Sequence, residues 1–211
     1  MAAEIALLRR MRWLVVLLLA GLLWAGAAAT AHAADDVDGV GLVDPSKGVW
    51  WLRDPGSGET TSFYFGNPRD LPFLGYWVCD GVDTPGLSRQ ADGYVYLRNS
   101  NSQGIADIRF FFGNPGDVPL AGDFDGDGCD TVSIYRPSEG RFYVIDRLGE
   151  GDGGLGSADA SYRFGNVGDV PFVGDFDGDA IDTFGVYRRG GGVVHLRNRH
   201  SAGPAEVTFS Y

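Results

Sequence analysis

The chain has 211 residues, of which 44% are hydrophobic, and a formal net charge of −11 at pH 7. This apolar content argues against a disordered chain, and the negative charge argues against a nucleic-acid partner, because phosphates carry the same sign. Thirty-three glycines and ten prolines separate short aromatic and β-branched runs. That pattern is typical of strands joined by tight turns, and it predicts an all-β fold.

Residues 1–33 have the features of a secretory signal peptide. Three arginines within 9–12 precede an apolar run at 13–23, and the A-x-A pattern at 31–33 supplies a cleavage site. We therefore expect a secreted, extracellular protein with no membrane span once the signal is removed. The alternative is an uncleaved membrane anchor, because apolar and small residues continue to Ala29.

Residues 34–211 form the predicted domain, which contains four copies of one unit. Removing the signal peptide removes three arginines and one glutamate, so the net charge of the remainder falls from −11 to −13. Each copy begins with two short apolar runs around a turn ending in glycine, which predicts a β-hairpin. These hairpins are expected at 38–52, 83–97, 130–144 and 182–196.

Two further runs complete each unit. A third run ends at a Phe-Gly pair, and a fourth run leads into an acidic loop; the first copy is truncated and lacks the fourth. Fifteen strands are therefore expected. Units of four strands that cannot bury their own faces favour blades arranged about an axis. We expect about four short four-stranded blades in a small closed β-propeller; an open array, or a ring completed by self-association, is the alternative.

The acidic loop after the fourth run predicts a calcium site. Asp123, Asp125 and Asp127 alternate along it, and Gly128 stands at the sixth position. Ca²⁺ takes six to eight oxygen ligands, and a D-x-D-x-D-G run wraps carboxylates around one centre. The same spacing recurs 52 residues later, at Asp175, Asp177 and Asp179. Two calcium sites are therefore expected, although acidic turns without metal are the plain alternative.

The later loop positions supply further candidate ligands. Backbone carbonyls are expected at position seven, and either the aspartate at position eight or the threonine at position nine completes each shell. These candidates are Cys129, Asp130 and Thr131 in the third repeat, and Ile181, Asp182 and Thr183 in the fourth. The fourth site should be weaker, because Ala180 replaces the glycine at position six. In the second repeat only Asp80 remains of the three carboxylates, so no metal is expected there.

The repeated motifs resemble a known family. Phe-Gly-Asn-Pro, Gly-Asp-Phe-Asp-Gly-Asp-Gly and the following Asp-Thr are similar to the FG-GAP and VCBS-like repeats of secreted bacterial proteins. The resemblance covers about residues 38–211 and implies calcium loops on a relative of the integrin-type β-propeller. Two departures are visible, since family blades are usually longer and more numerous than the units here.

Cys79 and Cys129 are the only cysteines, and each falls in the acidic-loop region of consecutive repeats. In an exported protein this placement predicts a disulfide between the two loops. The alternative is a pair of buried or unpaired thiols, because the distance between the two residues does not follow from sequence.

Two groups of residues form a possible ligand face. Arg89, Arg136 and Arg188 occupy equivalent places in three repeats, so their guanidinium groups could hold an anion or, alternatively, pair with nearby aspartates as structural braces. Trp50 and Trp51 are adjacent strand residues, so they face opposite ways and one of them could stack on a sugar.

No motif for catalysis is present in the sequence. Only His195 and His200 remain after signal removal, and G-x-S-x-G, H-E-x-x-H and phosphate-loop patterns are missing. We therefore expect not an enzyme but a secreted calcium-binding adhesion or ligand-binding module for an extracellular glycan or protein. The alternatives are a polysaccharide hydrolase or lyase, and a purely structural fragment of a longer array.

Overall fold

The computed structural model describes residues 40–54, 56–149 and 157–210. The predicted signal peptide, residues 1–33, lies outside these ranges. Within them every regular element is a β-strand. The strands are β1 (Val40–Asp44), β2 (Val49–Arg53), β3 (Thr60–Tyr64), β4 (Leu71–Gly75), β5 (Thr84–Arg89), β6 (Tyr94–Leu97), β7 (Ile108–Phe111), β8 (Val118–Gly122), β9 (Thr131–Arg136), β10 (Arg141–Val144), β11 (Ala160–Arg163), β12 (Val170–Gly174), β13 (Thr183–Arg188), β14 (Val193–Arg197) and β15 (Val207–Ser210).

The strands form four antiparallel sheets in which each strand pairs with its neighbour in the chain. The first sheet contains β1–β3, and the other three contain β4–β7, β8–β11 and β12–β15. These sheets are arranged as a four-bladed β-propeller. The predicted all-β class and the blade count are therefore confirmed.

The first strand of each complete blade faces the neighbouring blades. Strand β8 contacts both β4 and β12, so these three strands lie closest together. Among the residues that the structure describes, the first blade has no counterpart of this strand, since β1 corresponds to the second strand of the other blades. Each acidic loop starts where one of these inner strands ends, and the inner strands therefore position the candidate metal loops.

The hairpin glycine and the Phe-Gly pair recur together because they contact each other. Gly140 has φ of +61°, a conformation that costs other residues free energy. A Cβ there would also lie 2.5 Å from the carbonyl oxygen of Gly165, so only glycine fits. The carbonyl of Gly140 in turn accepts the N–H of Phe164 at 2.9 Å. Gly93 and Gly113 make the same contact in the preceding blade.

The core lies between blades and not inside them. One buried cluster, containing Trp50 and Leu87, joins the first and second blades. A second, containing Phe110 and Ile134, joins the second and third. A third, containing Phe142 and Phe184, joins the third and fourth, where the two rings stack with centroids 4.2 Å apart. Consecutive blades therefore bury their core residues against each other.

Among the residues that the structure describes, no helix has the length and apolar character needed to cross a membrane.

Candidate metal centre

Two carboxylate triads converge at the ends of β8 and β12. Asp123 directly follows β8, and Asp175 directly follows β12. In each triad, one carboxylate oxygen from every member lies within 4.8 Å of the others. In the described ranges, these are the groups of three or more potential metal ligands that come together. They are the two sets that the sequence predicts, Asp123, Asp125 and Asp127, and Asp175, Asp177 and Asp179.

The loop backbone fixes the first aspartate of each triad. Oδ1 of Asp123 accepts the N–H of Gly126 and Oδ2 accepts the N–H of Gly128, both at 2.8 Å. Asp175 accepts the equivalent amides of Gly178 at 2.7 Å and Ala180 at 3.0 Å. The two loops therefore have one conformation, although their sequences differ at positions six and seven.

The sixth loop position has a left-handed backbone in both loops. Gly128 has φ of +90°, and Ala180 has φ of +69°. Glycine adopts such angles freely, whereas alanine is strained there by about 1 kcal/mol. Ala180 thus adopts a backbone conformation that favours glycine, and the fourth-blade loop is the strained member of the pair.

The donor set suits a hard divalent cation. Two oxygens bound to one Ca²⁺ at about 2.4 Å lie no more than about 4.8 Å apart, and both triads meet that limit. Three carboxylates this close repel one another unless a cation neutralises them. Carboxylate oxygens are also the ligands that Ca²⁺ and Mg²⁺ prefer. These residues can hold such an ion between them.

The aspartates at position eight have a different role from the one considered in the sequence. Oδ2 of Asp182 accepts the N–H of Asp123 at 2.9 Å, and the N–H of Asp182 donates to the Asp123 carbonyl at 2.7 Å. Asp130 makes the same pair with Tyr76, at 3.0 Å in both directions. We call each pair an inter-blade staple. Asp130 and Asp182 lie outside the triads, because their carboxylates hold the backbone of the preceding blade.

The metal roles expected at positions seven and nine belong to a backbone carbonyl and a hydroxyl, and they stay predictions. The N–H groups of Cys129 and Ile181 donate to the fifth-position aspartates of their own loops, at 2.8 and 2.9 Å. Thr131 and Thr183 begin β9 and β13 and pair with the last residues of β8 and β12. The hydroxyl of Thr183 donates to the carbonyl of Gly174 at 3.4 Å.

The second-blade loop is closed by a disulfide. Cys79 and Cys129 are bonded, with their Cα atoms 5.2 Å apart, which confirms the predicted bridge. Cys79 has φ of +58° at the place that corresponds to Gly126. A covalent link therefore ties the second-blade loop, which retains only Asp80 of the triad, to the third-blade loop.

The three equivalent arginines are structural braces. In the third blade, Nε and Nη2 of Arg136 each donate to the carboxylate of Asp117 at 2.9 Å. Asp117 is 3% exposed, and it also accepts the N–H of Asn114 at 2.8 Å. Arg89 pairs with Asp70, and Arg188 with Asp169, in the same two-bond geometry. Of the two roles considered for these arginines, the pairing with aspartate is the one the structure shows.

Hydrogen bonds within the braces shift the pKa values of Asp169 and Arg136. Burial alone would raise the pKa of Asp169, but hydrogen bonds from Arg188 and from the Asn166 amide outweigh it and lower that pKa below its ordinary value. The hydrogen bond to Asp117 raises the pKa of Arg136. The aspartates of this motif are not among the candidate residues predicted from the sequence. The signal was present, because the aspartate precedes the arginine by 19 residues in all three blades.

Trp50 and Trp51 lie on opposite faces of β2, as expected from the alternation of side chains along a strand. Trp50 is 1% exposed, stacks on Phe63 and donates from Nε1 to the carbonyl of Phe65 at 2.9 Å. The prediction that Trp50 belongs to a ligand face is therefore wrong, because its ring packs in the core between the first two blades. Trp51 is 37% exposed and remains accessible.

Comparison with family models returns no match, and comparison with curated proteins returns none either.

Proposed function

We propose that this protein is a secreted, calcium-stabilised β-propeller that serves as an adhesion or ligand-binding module. The observation that carries the proposal is the pair of carboxylate triads with identical spacing and near-identical loop hydrogen bonds. Their oxygens are close enough for one ion to contact all three carboxylates of a triad. The resemblance to FG-GAP and VCBS-like repeats supports calcium as that ion.

Export is supported by two independent features. The disulfide between Cys79 and Cys129 suits an oxidising compartment. Residues 1–33 carry the charge and hydrophobicity pattern of a secretory signal. Two metal loops held by their own backbone hydrogen bonds would present a defined face to an extracellular glycan or protein.

Calorimetric titration of the purified protein with Ca²⁺ tests the metal assignment. Two sites of unequal affinity are expected, with the tighter one in the third blade. Asp125→Asn should remove the tighter site and Asp177→Asn the weaker one, because each change takes one carboxylate from a triad. Asp80→Asn is the matched control, since Asp80 is the single remaining carboxylate of a loop without a triad, and it should leave both sites unchanged.

Two results together would refute calcium binding. If millimolar Ca²⁺ gives no heat and the protein melts at the same temperature with and without chelator, both loops are acidic turns. The binding role is tested separately on a glycan array, where saturable binding is expected and catalytic turnover of a bound glycan would contradict the proposal.

A further inference from the structure

Two equivalent clefts lie between consecutive blades, and they differ in charge. The cleft between the second and third blades has a volume of about 430 Å³ and is lined by Arg136, Tyr143 and Asp159. The cleft between the third and fourth blades has a volume of about 400 Å³ and is lined by Arg163, Arg188 and His195. No carboxylate side chain lines the second of these, although the protein as a whole is acidic.

In the third blade, Nη1 of Arg136, the nitrogen that does not bond Asp117, has partners of its own. Nη1 of Arg136 lies 3.2 Å from the Tyr143 hydroxyl and 3.4 Å from Glu139. The guanidinium also lies over the Tyr143 ring, 4.6 Å from its centroid. In the second blade, Arg89 likewise stacks on Tyr96, whose hydroxyl donates to an acid, Asp92. An acid and a tyrosine thus flank the brace arginine in both blades.

The fourth blade lacks both of these residues. Gly191 replaces the acid and His195 replaces the tyrosine. Among the described residues, Nη1 has no hydrogen-bond partner in either Arg89 or Arg188, but a tyrosine ring covers Arg89 and none covers Arg188. The side chain of Arg188 is 37% exposed, compared with 20% for Arg136 and 23% for Arg89. Nε and Nη2 of Arg188 both donate to Asp169, and these two bonds fix the position of Nη1.

Two neighbours strengthen the attraction of this cleft for an anion. Arg163 is exposed on β11 and forms no ion pair with a carboxylate in the described ranges; its cross-strand partner is another arginine, Arg141. Nδ1 of His195 lies 3.2 Å from the Thr208 hydroxyl, while its Nε2 is buried without a partner. A ligand oxygen that reached Nε2 would supply the hydrogen bond that the protein does not.

We propose that the cleft between the third and fourth blades binds the carboxylate of an acidic sugar, such as a uronate. The carboxylate accepts a hydrogen bond from Nη1 of Arg188 and is attracted by Arg163, and the sugar ring packs against the exposed residues Ala202 and Pro204, which line the same cleft. Charge-assisted hydrogen bonds of this kind are the strong ones. The volume suits a small ligand, since such sites begin at about 300 Å³.

The surrounding charge favours a single carboxylate over a polyanion. The net charge of −11 repels an extended acidic polymer, whereas one carboxylate can enter a locally cationic cleft. This inference rests on the proposed role as a binding module and adds the place and the charge of its ligand.

The test is calorimetric titration of the full-length purified protein with glucuronate, compared with glucose as the neutral match. Glucuronate should bind at least tenfold more tightly. The double change Gly191→Glu and His195→Tyr gives the fourth blade the residues of the third, and it should weaken glucuronate binding at least tenfold. The change is compatible with the fold, because a Cβ at Gly191 meets only a side-chain methyl of Val193, at 3.3 Å.

Controls separate this result from a general charge effect. Ile105→Glu adds the same charge at a residue that is 85% exposed in the second blade, and it should leave glucuronate binding unchanged. If the double variant does not fold, Arg163→Gln decides, and it should weaken binding at least threefold. Equal affinity for glucose and glucuronate, or full binding by the folded variants, would overturn the assignment.

Calcium and glucuronate are titrated separately, so the two proposals fail separately. A protein that binds Ca²⁺ but not glucuronate refutes only the cleft assignment. One that binds glucuronate in the presence of chelator, but never binds Ca²⁺, refutes only the metal centre.

Discussion

At the scale of single residues, a few backbone conformations and buried groups distinguish repeats that otherwise match. Ala180 holds a left-handed angle that glycine holds in the third blade. Tyr135 is fully buried, and its hydroxyl donates to the carbonyl of Asn166 at 3.2 Å. A substitution of Ala180 changes the backbone strain, and a substitution of Tyr135 removes a buried ionisable hydroxyl.

Ala180→Gly should stabilise the folded protein. The change relieves the strain of φ +69°, but it also gives the unfolded chain more freedom, so a gain of up to about 1 kcal/mol is expected. Calcium affinity of the fourth-blade loop should rise, since the loop no longer opposes its own closed form. Urea unfolding and calcium calorimetry measure the two effects. A loss of stability would show that the alanine side chain makes contacts that outweigh the strain.

Tyr135 should make the protein sensitive to alkali. Burial raises the pKa of Tyr135 to about 12, so its stabilising contribution is complete below pH 10 and is lost as the pH rises toward 12. The free energy of unfolding of the native protein should therefore fall relative to Tyr135→Phe over this interval, by about 1.4 kcal/mol per pH unit at most. Urea unfolding at pH 9 and pH 11 measures this difference. A constant difference between the two proteins would contradict the assigned pKa.

At the scale of elements, each brace fixes an inner strand to the strand that follows it. Asp169 directly precedes β12, and Arg188 ends β13, so their two hydrogen bonds set how this hairpin begins. The N–H of Asn166 adds a third bond to the same carboxylate, at 2.8 Å. The brace therefore links the Phe-Gly-Asn turn to the sheet.

Asp169→Asn should destabilise the protein by about 2 kcal/mol at pH 7, because hydrogen bonds to a charged group contribute about 1.5–3 kcal/mol. The pKa of Asp169 is lowered in the folded state, so its contribution is complete above the ordinary value of 3.8 and is lost as the pH falls below it. Urea unfolding from pH 7 to pH 2.5 should show the native and variant proteins converging in acid. A gap that persists at pH 2.5 would mean that packing, and not charge, sets the difference.

At the scale of the whole molecule, most of the fold could be predicted because it repeats. Strand number, hairpins and the disulfide all follow from motifs that recur at 47 or 52 residues. The staples could not be predicted, because Asp130 and Asp182 bind backbone groups 54 and 59 residues away, and backbone groups carry no residue-type signal. Alternation showed that Trp50 and Trp51 face opposite ways, but which of them is buried depends on where the next blade packs.

The disulfide should be the strongest single tie between the second and third blades. Its two cysteines are separated by 50 residues, and closing a loop of that length stabilises the folded state by about 4 kcal/mol in the chain-entropy treatment. Replacing Cys79 and Cys129 together with serine should lower the free energy of unfolding by about that amount. Urea unfolding of the native protein in reductant serves as the comparison and should match the variant. Equal stability of the reduced and oxidised protein would refute this role.

The inter-blade staples have a consequence for how such a chain can grow. The third and fourth blades each carry an aspartate that holds the backbone of the blade before it, Asp130 that of the second blade and Asp182 that of the third. Since the held groups are backbone atoms, Tyr76 serves as well as Asp123. A unit duplicated in the gene would thus arrive with both halves of its connection already encoded. Lengthening by whole repeats requires no matching substitutions in the neighbours, whereas insertion of part of a repeat would leave one half of a staple without its partner.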